Sequence, residues 1–164
     1  MKKVFKRILF IGLTIFVLIQ FYQPARNRDG GQVSDMHFIK IYNVPDSINN
    51  ILKIACYDCH SNNTNYPWYA YIQPARWFME RHIKEGKANL NFSEFGNYSQ
   101  RKQANKIDRM AKQIKNNEMP LASYTMIHRN AILSASQKAT IINWVNNNIK
   151  LIIKHTYQLC VFIG

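Results

Sequence analysis

The chain has 164 residues, 47% of them hydrophobic and 13% aromatic, which excludes a disordered polymer and leaves room for one domain plus an appendage. Lysine and arginine number 22 against 9 acidic residues, a formal net charge of +13, and such a balance suits nucleic acid, anionic lipid or an acidic protein. No RNA-binding aromatic signature or paired zinc-finger spacing is present, so no nucleic acid is expected and a basic surface facing lipid or an acidic partner is favoured.

Lys2, Lys3, Lys6 and Arg7 precede an apolar run from Ile8 to Tyr22, broken only by Gly12, Thr14 and Gln20. Counted from Val4, the stretch reaches about the 20 residues that a membrane helix needs. Its exit, Gln20-Phe21-Tyr22-Gln23-Pro24, lacks the small-x-small site of a cleaved signal peptide. Residues 1–23 are therefore expected to be an uncleaved transmembrane anchor in contact with lipid. Basic residues before the run outnumber Arg26 and Arg28 after it. That bias predicts a single-pass protein of the bacterial inner membrane, with a cytoplasmic N-terminus and a periplasmic remainder. Residues 24–44 read as a linker rich in turn residues, with Gly30-Gly31 and no apolar period, and His37 within it reads as a surface residue.

Pro45 precedes a helix start capped by Asp46 or Ser47, after which Ile48, Ile51, Leu52 and Ala55 recur at helical spacing. The C-terminal end of this helix carries Cys56-Tyr57-Asp58-Cys59-His60. Two cysteines three apart with a histidine behind the second form the attachment signature of a c-type haem. Positions i, i+3 and i+4 share a helix face, so all three side chains can meet one flat ligand. Cys56 and Cys59 would add across the vinyl groups, and His60 would serve as the proximal ligand of the iron. A zinc site is the first alternative, but it wants four ligands, and His37, His82, His128, His155 and Cys160 are scattered singly. A thioredoxin-like dithiol is the second, but it belongs beside a βαβ pattern that this chain lacks.

Ser61–Tyr71 is an Asn-rich loop in which Tyr66, Pro67, Trp68 and Tyr69 follow His60 closely enough to wall an apolar plate. Pro74 opens a second helix through Glu85, ended by Gly86 as its C′ residue, with Trp77, Phe78 and Ile83 as the buried side. Residues 87–98 read as a polar loop anchored by Leu90, Phe92 and Phe95. Ser99 caps a third helix with Ala104, Ile107, Met110, Ala111 and Ile114 in its core stripe, while its basic residues from Arg101 to Lys115 read as a solvated face. Met119-Pro120 then breaks that helix, and Met with His is the usual axial pair of an electron-transfer haem. A methionine on an extended segment can reach over the plate, so Met119 is the expected distal ligand, with Met126, His128 and His82 as rivals. Ser134 and Gln137 form a capping-box pattern before a last helix carrying Ile141, Ile142, Trp144, Val145 and Ile149. Residues 151–164 form a tail of uncertain structure, too short and polar to span a membrane, and Cys160 within it has no assigned role.

Several of these stretches together are specific: Cys56–Thr64, Pro67-Trp68-Tyr69, Leu90–Phe95, Glu118–Leu121 with Tyr124, and Ile127-His128 leading to Leu133-Ser134. From about Val44 to Val145 the chain resembles the haem-binding domain family of bacterial envelope proteins. One departure lies at Arg129-Asn130, where the family often has proline and an acidic residue. The resemblance implies an all-α, cytochrome-c-like small helical domain over 45–150, built around one haem behind the N-terminal segment. The expected function is that of a monohaem cytochrome passing single electrons to a redox partner protein in the periplasm or inner membrane, with haem c as cofactor. A haem-based sensor or gas binder is the alternative, and a peroxidase-like enzyme using an acid/base group such as His128 is a further one.

Overall fold

The computed structural model describes the backbone of residues 1–161 and the side chains of residues 1–148, so the readings of Ile149, Cys160 and the end of the tail lie outside the described residues. Every regular element among the described residues is helical and none is a strand, which makes the chain all-α. In order these are α1 (Lys2–Ile19), α2 (Phe38–Ile41), α3 (Asp46–Ala55), α4 (Tyr57–His60), α5 (Ala75–Asn89), α6 (Gln100–Lys115), α7 (Ala122–Thr125) and α8 (Ala135–Val161), joined by 3₁₀ turns at Trp68–Tyr71, Phe95–Asn97 and Arg129–Ala131.

The first helix overturns the membrane expectation. α1 has 18 residues and buries none of them. Lys2, Lys3, Lys6 and Arg7 occupy its first two turns, so its uncharged part runs only from Ile8 to Ile19. At 1.5 Å per residue that part is about 18 Å long, well short of the roughly 30 Å hydrocarbon layer. No helix among the described residues is long and apolar enough to cross a membrane. The single-pass inner-membrane placement, with its cytoplasmic N-terminus and periplasmic remainder, is therefore withdrawn.

The segment after α1 is tied to the folded body. Gln20 and Gln73 exchange hydrogen bonds, the Gln73 side chain donates to the Tyr22 carbonyl at 2.6 Å, and the Arg76 guanidinium donates to Gln23 Oε1 and the Pro24 carbonyl. Asn27 is a hub. Its side chain donates to the Ser61 carbonyl (2.7 Å) and to Thr64 Oγ1 (2.9 Å), while its Oδ1 accepts from Lys87 Nζ (2.7 Å). Its backbone bonds Tyr66 Oη and the Thr64 amide. The stretch read as a linker is thus a strap, and local pattern could not show this because its partners lie 34 to 60 residues away.

His37, read as a surface residue, is buried and caps α2, its Nδ1 accepting from the Ile39 amide at 3.3 Å. The next residue, Phe38, is fully buried and packs on Phe92, Phe95 and Trp144. Burial lowers the His37 pKa from its ordinary 6.5, outweighing the raising effect of Asp29, and Lys40 lowers it further. In the range just below 6.5 the unfolded chain binds the proton more readily, so acidification favours unfolding, and protonated Nδ1 can no longer accept the cap bond. The melting temperature is expected to fall as pH drops from about 7.5 to 5.5, following this titration. His37→Asn, which keeps a cap acceptor without titrating, should flatten that slope; an unchanged slope would assign it to another group.

The core gathers Ile48, Leu52 and Ala55 of α3, Ile107, Met110, Ala111 and Ile114 of α6, and Ile141 and Val145 of α8 around the Phe38–Phe92–Phe95 aromatics. α8 lies chiefly along α6 and also touches α3. Its start is the expected capping box: the Ser134 amide donates to Gln137 Oε1 (2.8 Å), and the Gln137 amide donates to Ser134 Oγ (3.2 Å). Pro45, not Asp46 or Ser47, is the N-cap of α3, which puts Asp46 in the first turn where the helix dipole favours a carboxylate. In α5 the buried residues are Arg76 and Ile83, whereas Trp77 and Phe78 are exposed. Arg76 takes the inward place because the strap offers it two oxygens.

Candidate functional site

The expected site begins where α3 ends. Cys56 is the C-cap of α3, at φ −130° and ψ −40°, so the helix breaks there instead of running through the motif. The next four residues form α4, with the amides of Cys59 and His60 both donating to the Cys56 carbonyl. The cysteines and histidine thus sit on one tight turn, detached from the α3 axis. Tyr57 anchors the turn, packing on Phe92 and donating to Asn49 Oδ1 at 3.0 Å. Thr64 Oγ1 donates to the Asp58 carbonyl at 2.6 Å and closes the loop beneath it.

His60 is held from two sides by Leu90–Phe92. The Phe92 amide donates to the His60 carbonyl (2.8 Å), and His60 Nδ1 lies 2.9 Å from the Leu90 carbonyl. A carbonyl can only accept, so neutral His60 carries its hydrogen on Nδ1 and leaves the Nε2 lone pair for a metal. Burial lowers the His60 pKa from its ordinary value, partly offset by backbone bonds to Leu90 and Gly86, which favours this neutral form. The same segment is laced to the residues after the histidine: Asn91 Nδ2 donates to Asn62 Oδ1 (2.9 Å), and the Asn62 amide donates to Ser93 Oγ (3.0 Å). Reading residues 87–98 only as a loop with apolar anchors missed this orienting role. No local pattern signals it, since the partners are about 30 residues apart.

Gly86 is not a helix terminator, because α5 continues through it to Asn89. A Cβ built at this position would stand 2.6 Å from the Cys59 carbonyl oxygen and 3.3 Å from Cys59 Cβ. The glycine is there so that α5 can lie directly against the α4 turn.

Met119 arrives from the far end of α6. That helix ends in a Schellman motif: Asn117 is left-handed at φ +60°, its amide donates to the Ile114 carbonyl (3.2 Å), and the Glu118 amide donates to the Gln113 carbonyl (2.9 Å). The reversal turns the chain back, and Met119 joins Cys56, Cys59 and His60 in lining a single cavity of about 850 Å³. Ligand sites span about 300–1,000 Å³, so the space suits a large planar group. Leu90, Phe92, Met110, Ile114, Leu121 and Tyr124 supply apolar wall, and Lys102, Lys106 and Arg109 of α6 also line the cavity. The donor set, two thiols and a lone-pair imidazole on one turn with a thioether from another segment, fits a haem iron and its attachment.

Pro67, Trp68 and Tyr69 do not line this cavity. The loop after His60 is drawn towards the strap, where Tyr66 bonds Asn27 and Glu80, so Pro67 caps the next 3₁₀ turn and Trp68 is exposed. Tyr69 faces His128 instead, with its hydroxyl 2.6 Å from His128 Nε2. The expected aromatic wall is replaced by one from α6, Leu90–Phe92 and α7. Among the rival ligands, His128 is absent from the lining and stacks on Tyr124 at 4.2 Å; Met126 is also absent and exposed; His82 lines the cavity with Nδ1 2.8 Å from the Phe78 carbonyl. Tyr124 braces α7 to the cysteine turn by donating to Asp58 Oδ2 at 2.7 Å. Burial, and then that carboxylate, push its phenol upward.

The thiols are neutral. Burial, with Cys59 second, pushes Cys56 up to about 12, and burial, with Asp58 second, pushes Cys59 up to about 11. Reactive dithiols use thiolates stabilised by positive charge, the opposite surroundings. Among the described residues no group of three or more His, Cys, Asp or Glu side chains converges to hold a metal ion, so the zinc alternative finds no ligand set there.

A search of the curated proteins and one of the solved structures each returned no match. A family model described as "Haem-binding domain" matches residues 14–147. The match begins ahead of the strap and ends within α8, so it takes in the cysteine turn, the Leu90–Phe92 clamp and the Met119 loop together. The chain belongs to the haem-binding domain family.

Proposed function

We propose that this domain binds a single c-type haem and works as an electron carrier, with Cys56 and Cys59 as covalent tethers, His60 as proximal ligand and Met119 as distal ligand. The observation that carries the reading is the convergence of these four side chains on one cavity from segments separated by the whole of α5 and α6. Cys56 and Cys59 would hold the haem through thioethers, and that attachment would need no oxidant because the sulfur and hydrogen of each thiol would both be retained. When bound, the haem supplies a one-electron iron couple. His60 would give Nε2 to the iron while the Leu90 carbonyl keeps its ring oriented. Met119, on a loop fixed by the Schellman turn, would hold the iron as a second protein ligand from another segment and close it to substrate. The all-helical frame, with α3 and α8 in contact, supports a cytochrome-c-like arrangement, and a redox protein would be the partner.

The test is a spectrum of the matured protein. The reduced form should be six-coordinate, low-spin and c-type, and the oxidised form should show the methionine–iron charge-transfer band. Met119→Ala is expected to abolish that band and to open the iron to carbon monoxide. Survival of the band in this variant would refute the distal assignment, and rapid carbon monoxide binding by the unsubstituted protein would refute the closed coordination.

A further inference from the structure

Resting on the haem reading of this cavity, we propose that Lys102, Lys106 and Arg109 form a cationic rim that takes the two propionate carboxylates of the haem. The three residues are spaced i, i+4 and i+7 on α6 and share one face of that helix. Pattern alone assigned that face to solvent, but all three line the cavity that holds the haem donor set. None of them is in an ion pair among the described residues, where the pairs are Lys40–Asp35, Arg81–Glu85 and Lys112–Asp108.

Three like charges on adjacent turns repel one another unless an anion joins them. Lys106 illustrates the imbalance. Its ammonium stands 4.5 Å from the centroid of the Tyr98 ring and donates to the Asn89 carbonyl, with no carboxylate in reach. Burial, then Lys102 and Arg109, hold it below its ordinary pKa. The two carboxylates on the cavity wall are already engaged: Asp58 accepts from Tyr124 and from the Asn65 amide, and Glu85 accepts from Arg81. A haem is an apolar plate with two carboxylates along one edge, and burying that edge without cations is costly. A cavity lined both by apolar residues and by cations outside any ion pair is the complement of such a molecule. The remaining basic residues of α6, namely Arg101, Lys112 and Lys115, do not line the cavity and provide a matched control.

The experiment uses the full apo-chain, titrated with ferric haem and with ferric haem dimethyl ester, whose propionates are neutral, while the Soret band reports binding. Wild type is expected to bind haem about tenfold or more tightly than the ester, as charge-assisted hydrogen bonds require. The K102Q/K106Q/R109Q variant should lose that preference by weakening haem binding while leaving ester binding unchanged. The R101Q/K112Q/K115Q variant should keep it. Equal affinities in wild type, or a preference that survives in the rim variant, would overturn the rim while leaving the haem site standing. Binding of neither porphyrin to wild type would overturn both.

Discussion

Serine at both Cys56 and Cys59 is expected to leave no haem attached to the chain after denaturation. In the matured wild type the pigment should stay with the polypeptide through acid–acetone extraction or a denaturing gel. In the double variant all of it should be extracted, because a hydroxyl does not add to a vinyl group under the conditions in which a thiol does. The fold should survive. Both side chains are partly buried and line the cavity, so each oxygen-for-sulfur change is worth about 1 kcal/mol or less. His60 and Met119 would remain, and weak, extractable binding is the expected residue of function. Haem that stays covalently bound to the double variant would refute the tether assignment outright.

The second large effect is expected at Gly86. Alanine in a helix interior normally gains about 1 kcal/mol over glycine. Here its Cβ would meet the Cys59 carbonyl oxygen at 2.6 Å, and that oxygen belongs to backbone, so no side chain can swing aside. Overpacking of this kind costs about 1–3 kcal/mol, and a rigid neighbour places it at the upper end. The steric term therefore wins, and Gly86→Ala should be destabilising by about 1–2 kcal/mol in denaturant unfolding. It should also lower haem loading, since the turn that must shift to make room carries Cys56, Cys59 and His60. Gly12→Ala in α1 is the control: nothing lies within 4 Å of its added Cβ, so it should be neutral or stabilising by up to about 1 kcal/mol. Equal behaviour of the two variants would show that the close approach of α5 to the cysteine turn does not matter.

The two cysteines and the histidine on which the haem proposal rests were legible in the sequence because Cys56-Tyr57-Asp58-Cys59-His60 places them within five consecutive residues. The all-α class and the cores of α3, α6 and α8 were legible for a similar reason, since apolar residues three and four apart report one helix face. The membrane reading of α1 failed because an apolar count takes no notice of where the helix ends or of the four cations in its first two turns. The burial of His37 beside Tyr57, the strap around Asn27, the Leu90–Phe92 clamp and the close approach at Gly86 were not legible at all. Each depends on a partner far along the chain.

The sequence by itself determined which atoms could grip a haem and that helices would carry them, because both follow from contacts within a few residues. Only the tertiary structure decided which walls line the cavity: Pro67, Trp68 and Tyr69 lie outside it, while Leu90, Phe92, Met119 and Lys102, Lys106 and Arg109 of α6 lie along it. The physical reason is that hydrogen bonds to distant oxygens and close backbone packing set the direction of each loop, and neither leaves a periodic trace in the local order of residues.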